Sequence, residues 1–375
     1  MMQSPKEVVI LGGGVYGTHL AHKLASTLPR NASPVHITLI NARDHFVWLP
    51  ANLRNSVQDI SSTYIKPLEP LFANNPSVGK VKVGEAVSVD AKRKVVVLRG
   101  GEEVTYDILV LALGSSWSDP NLVPATHEDV LGYFAKQRAA IKKAKNITII
   151  GGGAVGLELA GEIADLYPPS SGKHVTLIHS EDLPLSKVYR DKFRIKVKKM
   201  LEKLGVEFVL YAKGTNNEDG TVTITPLDGK EPYTLRSDHV YTALTPTPNT
   251  RILPDEWKDE KGYIRVTPTF QLESDSSVMA VGDLTNVKEV KQAAKAHGAI
   301  AVAAPNIVSL AKGQKPLKRY AGASEMIALA MGKKTGTGIG QMPCFGQVIF
   351  PSWMIVNVKC GDLLAGKMTK FLELK

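Results

Sequence analysis

A short apolar run that ends in glycines occurs twice in this chain, and that repeat limits the possible folds more than anything else in the sequence. The first copy reads Val8-Val9-Ile10-Leu11-Gly12-Gly13-Gly14-Val15-Tyr16-Gly17 and the second Ile147-Thr148-Ile149-Ile150-Gly151-Gly152-Gly153-Ala154-Val155-Gly156. Gly12 and Gly151 are 139 residues apart in a chain of 375. A β-branched run bounded by glycines has the pattern of a strand buried on both faces of a parallel sheet. A helical pattern follows each copy, Thr18 to Leu28 and Leu157 to Leu166, and then a second buried strand, His36 to Ile40 and His174 to Ile178. Strand, helix and strand, twice over, predict two βαβ dinucleotide-binding units.

Gly12, Gly14 and Gly17, with Gly13 between them, give the spacing G-x-G-x-x-G after a strand and at the start of a helix. The first glycine permits the tight turn. The second lets backbone approach a pyrophosphate, and the third lets the helix pack on the strand while its N-terminus faces the anion. Gly151, Gly153 and Gly156 repeat the pattern. The residue closing the second strand normally reads the adenosine ribose. It is Asn41 in the first unit, with Asp44 as a substitute or a helix cap, and His179 in the second. With no acid at that position to repel a 2′-phosphate, NADPH is expected to be accepted at least as readily as NADH. The basic stretch from Lys187 and Arg190 to Lys199 has two readings, a solvated helix face or a contact from Lys187 or Arg190 to that phosphate.

The segments between the repeats set the domain plan. Lys80 to Leu113 reads as a β-meander, with strands Val81–Val83, Val95–Leu98 and Ile108–Leu111. The second unit has a similar arm, Val206–Leu210 and Thr221–Thr225, before His239–Leu244. Ser115–Pro124 and Thr245–Asn249, rich in Pro, Ser and Thr, read as crossings between domains. The expected fold is α/β: two Rossmann-like three-layer domains, the second inserted in the first, plus a small α+β C-terminal region. The expected boundaries are 1–118 with 246–318, then 119–245, then 319–375.

Later in the chain, Val278-Met279-Ala280-Val281 runs into Gly282-Asp283, a strand end that can set a carboxylate against the ribityl hydroxyls of a flavin. Gln292 to Ser309 reads as a helix interrupted at Pro305, its N-terminus aimed at the flavin pyrimidine edge. Glu158 and Glu162 share a helix face. Glu158 either complements the helix dipole or reaches the nicotinamide or flavin, which makes it the candidate catalytic residue.

Only two cysteines occur, Cys344 and Cys360, so neither a disulfide framework nor a C-x-x-C redox pair is present. Reduced flavin would therefore hand electrons directly to an outside acceptor. A quinone fits, and oxygen or a protein carrier are alternatives. No metal site is expected. The net charge of +10 implies either a solvated lysine-rich exterior or attraction to an anionic partner. The lysines are not interleaved with aromatics, which argues against nucleic acid. The start, Met1 to Lys6, leaves no room for a signal peptide and has no myristoylation signal. No apolar run is long enough to span a bilayer. These features lead us to expect a cytoplasmic protein.

Together these motifs resemble the FAD-dependent pyridine nucleotide-disulfide oxidoreductase superfamily, in its apoptosis-inducing-factor homologue branch with ferroptosis-suppressor-type NAD(P)H:quinone reductases. The resemblance rests on Gly12 to Gly17, Ala51-Asn52-Leu53-Arg54, Leu109 to Ser115 with Gly114, Gly151 to Glu158, Val175 to Ser180 and Gly282-Asp283. It implies FAD at Gly12, Gly13, Gly14, Gly17, Asn41, Arg54, Gly114, Gly282, Asp283 and Gln292. It implies NADH or NADPH at Gly151, Gly153, Gly156, His179, Lys187 and Arg190, and a quinone-like acceptor. Slow redox signalling, or reduction of a protein carrier, are the other activities open to this fold. Thr245-Pro246 stands where the branch has a strand–glycine marker. The C-terminal aromatics Phe345, Phe350 and Trp353, with Ile349, Met354 and Lys359, either pack inward or form a homodimer contact, or dock peripherally on a membrane such as a lipid droplet or the mitochondrial outer surface.

Overall fold

A computed structural model describes residues 4–31, 33–342 and 344–374, so Met1 to Gln3 of the N-terminal reading lie outside the described residues. The first unit opens with β1 (Lys6–Leu11), α1 (Val15–Thr27) and β2 (Val35–Asn41). It continues through β3 (Gly79–Val83), β4 (Ala86–Asp90), β5 (Val95–Leu98), β6 (Glu103–Thr105), β7 (Ile108–Leu111) and the two-residue β8 (Ser115–Ser116). Helix α2 (His127–Lys143) leads into the second unit, its first turn closed by the Thr126 hydroxyl accepting the Asp129 N–H at 3.1 Å. That unit runs β9 (Asn146–Ile150), α3 (Ala154–Leu166), β10 (His174–His179), α4 (Asp191–Lys203) and β11 (Val206–Leu210). The hairpin strands β12 (Ala212–Asn216), β13 (Thr221–Pro226) and β14 (Tyr233–Arg236) precede β15 (His239–Thr242).

The chain then returns. A second two-residue strand, β16 (Thr247–Pro248), pairs antiparallel with β8, so the two expected crossings form one ribbon. Beyond it β17 (Val278–Ala280) joins β7 as the edge of the first sheet, whose order is β17-β7-β1-β2-β3, all parallel. A strand from beyond residue 245 thus completes a sheet begun at residue 6, and the second unit is an insertion in the first. The second sheet, β11-β10-β9-β15, is also parallel. The repeat extends to register: Leu11 lies between Ile40 and Leu111, and Ile150 between Ile178 and Thr242. Helix α5 (Ala296–Ala311) covers the first sheet together with α1. The C-terminal region is an antiparallel sheet of β18 (Met326–Ala330), β19 (Gly336–Met342) and β20 (Gly346–Phe350), followed by α6 (Ser352–Ile355) and α7 (Ala365–Phe371).

Four local expectations need correction. Val81–Val83 belongs to β3, the far edge of the parallel sheet, and the meander is β4-β5-β6. Val206–Leu210 likewise is β11 beside β10, and the arm is β12-β13-β14. In both cases the strand is the partly exposed edge of a parallel sheet, so it lacks the fully apolar run of a central parallel strand. The helices after the glycine turns begin at Val15 and Ala154, three residues earlier than expected, because helical geometry starts at once after each turn. Helix α5 starts at Ala296 and runs through Pro305 unbroken, since Ala303, Ala304, Asn306 and Ile307 are all buried around the proline. Packing there outweighs the missing N–H.

Candidate dinucleotide sites

The two glycine turns are built alike. Gly12 has φ +106° and Gly151 φ +121°, a region that disfavours side chains. A Cβ would fall 2.4 Å from the Ala112 carbonyl oxygen at Gly12, and 2.2 Å from that of Ala243 at Gly151. Gly17 and Gly156 are closed in the same way, by the carbonyl oxygens of Gly12 and Gly151 at 1.8 and 2.0 Å. Those four glycines serve the fold. Gly14 and Gly153 differ, because a Cβ on either meets no protein atom within 4 Å. No side chain caps the helix that follows either one. Each turn thus presents bare backbone and uncapped helix N–H groups to an open space, the donor set and clearance a pyrophosphate needs.

Asn41 and His179 occupy equivalent places under the turns. The Gly13 N–H donates to Asn41 Oδ1 at 2.9 Å, and the Gly152 N–H to His179 Nδ1 at 3.1 Å. Asn41 Nδ2 in turn donates to the Arg43 carbonyl at 2.8 Å, so both ends of that amide hold the loop. His179 must be neutral to accept at Nδ1, and burial depresses its basicity accordingly. Its hydrogen therefore sits on Nε2, which is buried and has no partner among the described residues. That free donor fits a ribose oxygen.

In the first unit, β17 leads into Gly282 (φ +87°) and Asp283. A Cβ on Gly282 would touch the Tyr16 ring at 2.9 Å. Asp283 Oδ2 accepts from Ser115 Oγ at 2.9 Å, and burial raises its pKa against that bond. Gly114 (φ +66°), between β7 and β8, has open space where its Cβ would lie. Gln292 bridges the units: its backbone carbonyl accepts from Tyr16 Oη at 3.2 Å and its Nε2 donates to Tyr189 Oη at 3.1 Å. The helix behind it begins four residues later than expected, and Gln292 precedes it in extended backbone (φ −150°, ψ 140°).

Arg54 is placed elsewhere than expected. Its guanidinium is buried, donating to Glu162 through Nε and Nη2, both at 2.8 Å, and through Nη1 to the carbonyls of Cys360 (2.6 Å) and Gly361 (2.8 Å). It ties the first unit to α3 and the C-terminal region, and its bonds leave little for a cofactor. Burial pushes Glu162 up against the pull of Arg54. In the same Ala51–Arg54 segment, Asn52 is fully buried with neither amide atom partnered among the described residues. The motif pointed to the right segment, but which residue keeps free polar atoms is settled only by helix Asn52–Asn55. Arg43 Nε, which sequence reasoning passed over, is another buried donor without a partner among the described residues.

Glu158 faces the C-terminal region. Its Oε1 accepts from the Ala330 N–H at 2.9 Å and from Lys359 Nζ at 2.7 Å. It is not a bare carboxylate waiting beside a substrate. Lys187 pairs with Glu181 at 2.8 Å, so an acid does stand two residues past His179 and shares that lysine's charge. Arg190 is exposed, with no ion pair among the described residues. Arg194, which sequence reasoning did not single out, is buried and holds the loop over the second turn by donating to Leu183 and Pro184 carbonyls and to Asp191.

Two parallel sheets, each with an open glycine turn, define a protein with two dinucleotide sites. Residues 5–300 match the pyridine nucleotide-disulphide oxidoreductase family, and the chain belongs to it. It is 30% identical to apoptosis-inducing factor 1 of Saccharomyces cerevisiae over 98% of both chains. It is 31% identical to human ferroptosis suppressor protein 1 over 88% of this chain and 87% of that one. The sulfide:quinone oxidoreductase of Aquifex aeolicus shares the fold, with a TM-score of 0.76 at 19% identity over 98% of this chain and 90% of that one. The protein is an FAD-dependent oxidoreductase that uses NADH or NADPH.

Proposed function

We propose that this chain oxidises NAD(P)H through FAD at the first turn and passes the electrons to a quinone-like acceptor. Its cysteine inventory carries that reading. Cys344 and Cys360 form no C-x-x-C, and buried Cys360 donates to the Thr335 carbonyl at 3.4 Å. Burial pushes its thiol up to about 11. A thiol so placed is no nucleophile, so the electrons leave for an acceptor outside the chain. The likeness to ferroptosis suppressor protein 1 supports this reading, and so does a fold shared with a quinone-reducing enzyme. When bound, FAD supplies hydride acceptance and two-electron release.

The chain's own groups do the holding. The Gly14 turn and the first N–H groups of α1 take the FAD pyrophosphate, Asp283 accepts from a ribityl hydroxyl while Ser115 orients it, and Gln292 and Asn52 supply amide contacts. The Gly153 turn takes the second pyrophosphate, and His179 Nε2–H donates to the adenosine ribose. Glu158 acts as a positioning residue, fixing Lys359 at the C-terminal face. Anaerobic stopped-flow tests the reading. NADH or NADPH should bleach the flavin rapidly, and a soluble quinone should restore the colour rapidly. Fast bleaching with slow recovery by every quinone tried would overturn the quinone acceptor and favour a slow redox-signalling flavoprotein.

A further inference from the structure

Lys295 stands immediately before α5 and Glu325 immediately before β18, and the two meet in a charged cluster that neither glycine turn uses. Lys295 is buried, and its Nζ donates to Glu325 Oε1 at 2.9 Å with Glu289 Oε2 3.6 Å away. Glu289 Oε2 also accepts from Tyr320 Oη and from the Ala323 N–H, both at 3.0 Å. The Val290 N–H donates to Glu325 Oε1 at 3.0 Å, so both bonds to that carboxylate fall on one oxygen. The other oxygen, Oε2, is buried with no partner among the described residues. Lys291 Nζ is turned onto the carbonyls of Thr285 at 2.8 Å and Val287 at 2.9 Å. Side-chain exposure grades the cluster from 4% at Lys295 and 7% at Glu289 to 20% at Glu325, so Glu325 is the end that water reaches.

The cluster adjoins the site proposed for FAD. The Lys295 N–H donates at 3.2 Å to the Gln292 carbonyl, which also accepts from Tyr16. Burial raises the pKa of Tyr16, and the charges of Asp283 and Glu289 raise it further. Burial raises Asp283 too; Ser115 and Lys291 lower it, and Glu289 adds to the rise. Glu289 therefore acts on both groups. Asp283, Glu289 and Glu325 outnumber Lys291 and Lys295 by one, and uptake of a single proton would neutralise the group. Low-dielectric surroundings favour that uptake, because a buried charge without a partner is costly. A quinone-like acceptor creates the matching demand. NAD(P)H gives up a hydride, two electrons and one proton, while a quinone becomes a quinol by gaining two electrons and two protons. The second proton comes from water. We infer that Glu325, Lys295 and Glu289 form the relay that brings it in, a role that rests on the quinone-like acceptor proposed above. Glu325 takes the proton from water on Oε2, forming an O–H bond. Lys295 passes an N–H proton to Glu289 and regains one from Glu325. The proton held at Glu289 goes to the acceptor's oxygen as the electron pair arrives there, and the cluster ends as it began.

The test is anaerobic stopped-flow of the FAD-loaded full-length protein with two acceptors, a soluble quinone and ferricyanide, which takes one electron at a time and no proton. Glu325→Gln keeps the shape of the side chain and removes the carboxyl that titrates. It should bleach with NADH and recover colour with ferricyanide at wild-type rates, yet recover with the quinone about 100-fold more slowly. Added acetate should restore part of the quinone rate, by carrying protons in place of the lost carboxyl. Glu289→Gln should show the same split between acceptors, so the relay stays testable if one variant folds poorly. Equal slowing with both acceptors would mark a structural role and overturn the relay. A quinone rate unchanged in both variants would overturn it as well. Wild type that recovers quickly with ferricyanide and slowly with every quinone is a different outcome: it overturns the acceptor, and the relay falls with the demand for a proton.

Discussion

Gly14 and Gly153 have ordinary φ values, −76° and −75°, and only bound ligand can oppose a side chain there. Gly14→Val should therefore fold with a melting temperature close to wild type and purify colourless, because the isopropyl group fills the pyrophosphate's space. Gly153→Val should purify yellow and resist bleaching by NADH. Absorbance spectra before and after anaerobic NADH check both, and a colourless Gly153→Val would reverse the assignment of the two sites. Gly17→Ala, with its methyl forced onto the Gly12 carbonyl, should lower the melting temperature instead. His179 adds a pH dependence that Asn41 cannot. Protonating Nδ1 replaces an acceptor with a donor facing the Gly152 N–H. Burial lowers the pKa, with Glu181 and Asp182 raising it and Arg194 lowering it. The neutral ring's contribution is thus present above the ordinary value of 6.5 and lost as pH falls through the folded value. NADH affinity should weaken on acidification, and His179→Asn should flatten that profile. Binding titrations across pH measure both.

At the scale of elements, the pairing of Asn52–Asn55 with α3 rests on a buried ion pair. Arg54→Ala would leave Glu162 buried and unpaired and should cost about 3–5 kcal/mol. The double variant Arg54→Met with Glu162→Leu should recover much of it. Calorimetric melting decides, and the flavin absorbance per folded molecule should not change if Arg54 is a tie rather than a cofactor ligand. A second joint brings α1, α5 and α7 together: the His19 ring lies 5.7 Å from His297 and 4.8 Å from Phe371. Burial, then His297, His22 and Lys23, push His19 down to about 4. Its contribution is complete above 6.5 and disappears as pH falls toward about 4, a loss of at most about 3 kcal/mol. His19→Phe, which keeps the edge contact with Phe371, should flatten stability against pH over that window.

Across the whole molecule, the C-terminal region bolts the two units together. Trp48 Nε1 donates to the Leu363 carbonyl at 2.8 Å on the first unit, and Lys359 reaches Glu158 on the second. The Lys333 N–H donates to Asp165 Oδ2 at 3.0 Å, also on α3. Leu329, Met331 and Ile339 share a core with Leu157 and Ile163 of that helix. A chain ended at Lys318 should therefore melt in two calorimetric steps at lower temperature, where the full chain melts in one. A single unchanged transition would show that the domains hold together without the region.

The sequence alone was enough to establish what local pattern encodes: two strand–glycine–helix units, their offset, the insertion of one in the other and the absence of a dithiol. Each unit depends on residue type and spacing within about thirty positions, which buried parallel strands and tight turns dictate directly, and the offset and insertion follow from finding that local pattern twice. The partners of each polar group lie beyond that reach. Arg54 meets Glu162 and Cys360, and Glu158 meets Lys359, each across more than a hundred residues. Arg54 and Asn52 are two positions apart in one motif, yet the guanidinium of the first is saturated by partners and the side-chain amide of the second has none among the described residues. Sequence could name both as polar groups near the cofactor. Only the tertiary structure decided which still has hydrogen bonds to give, because burial and partnership are properties of the packed molecule.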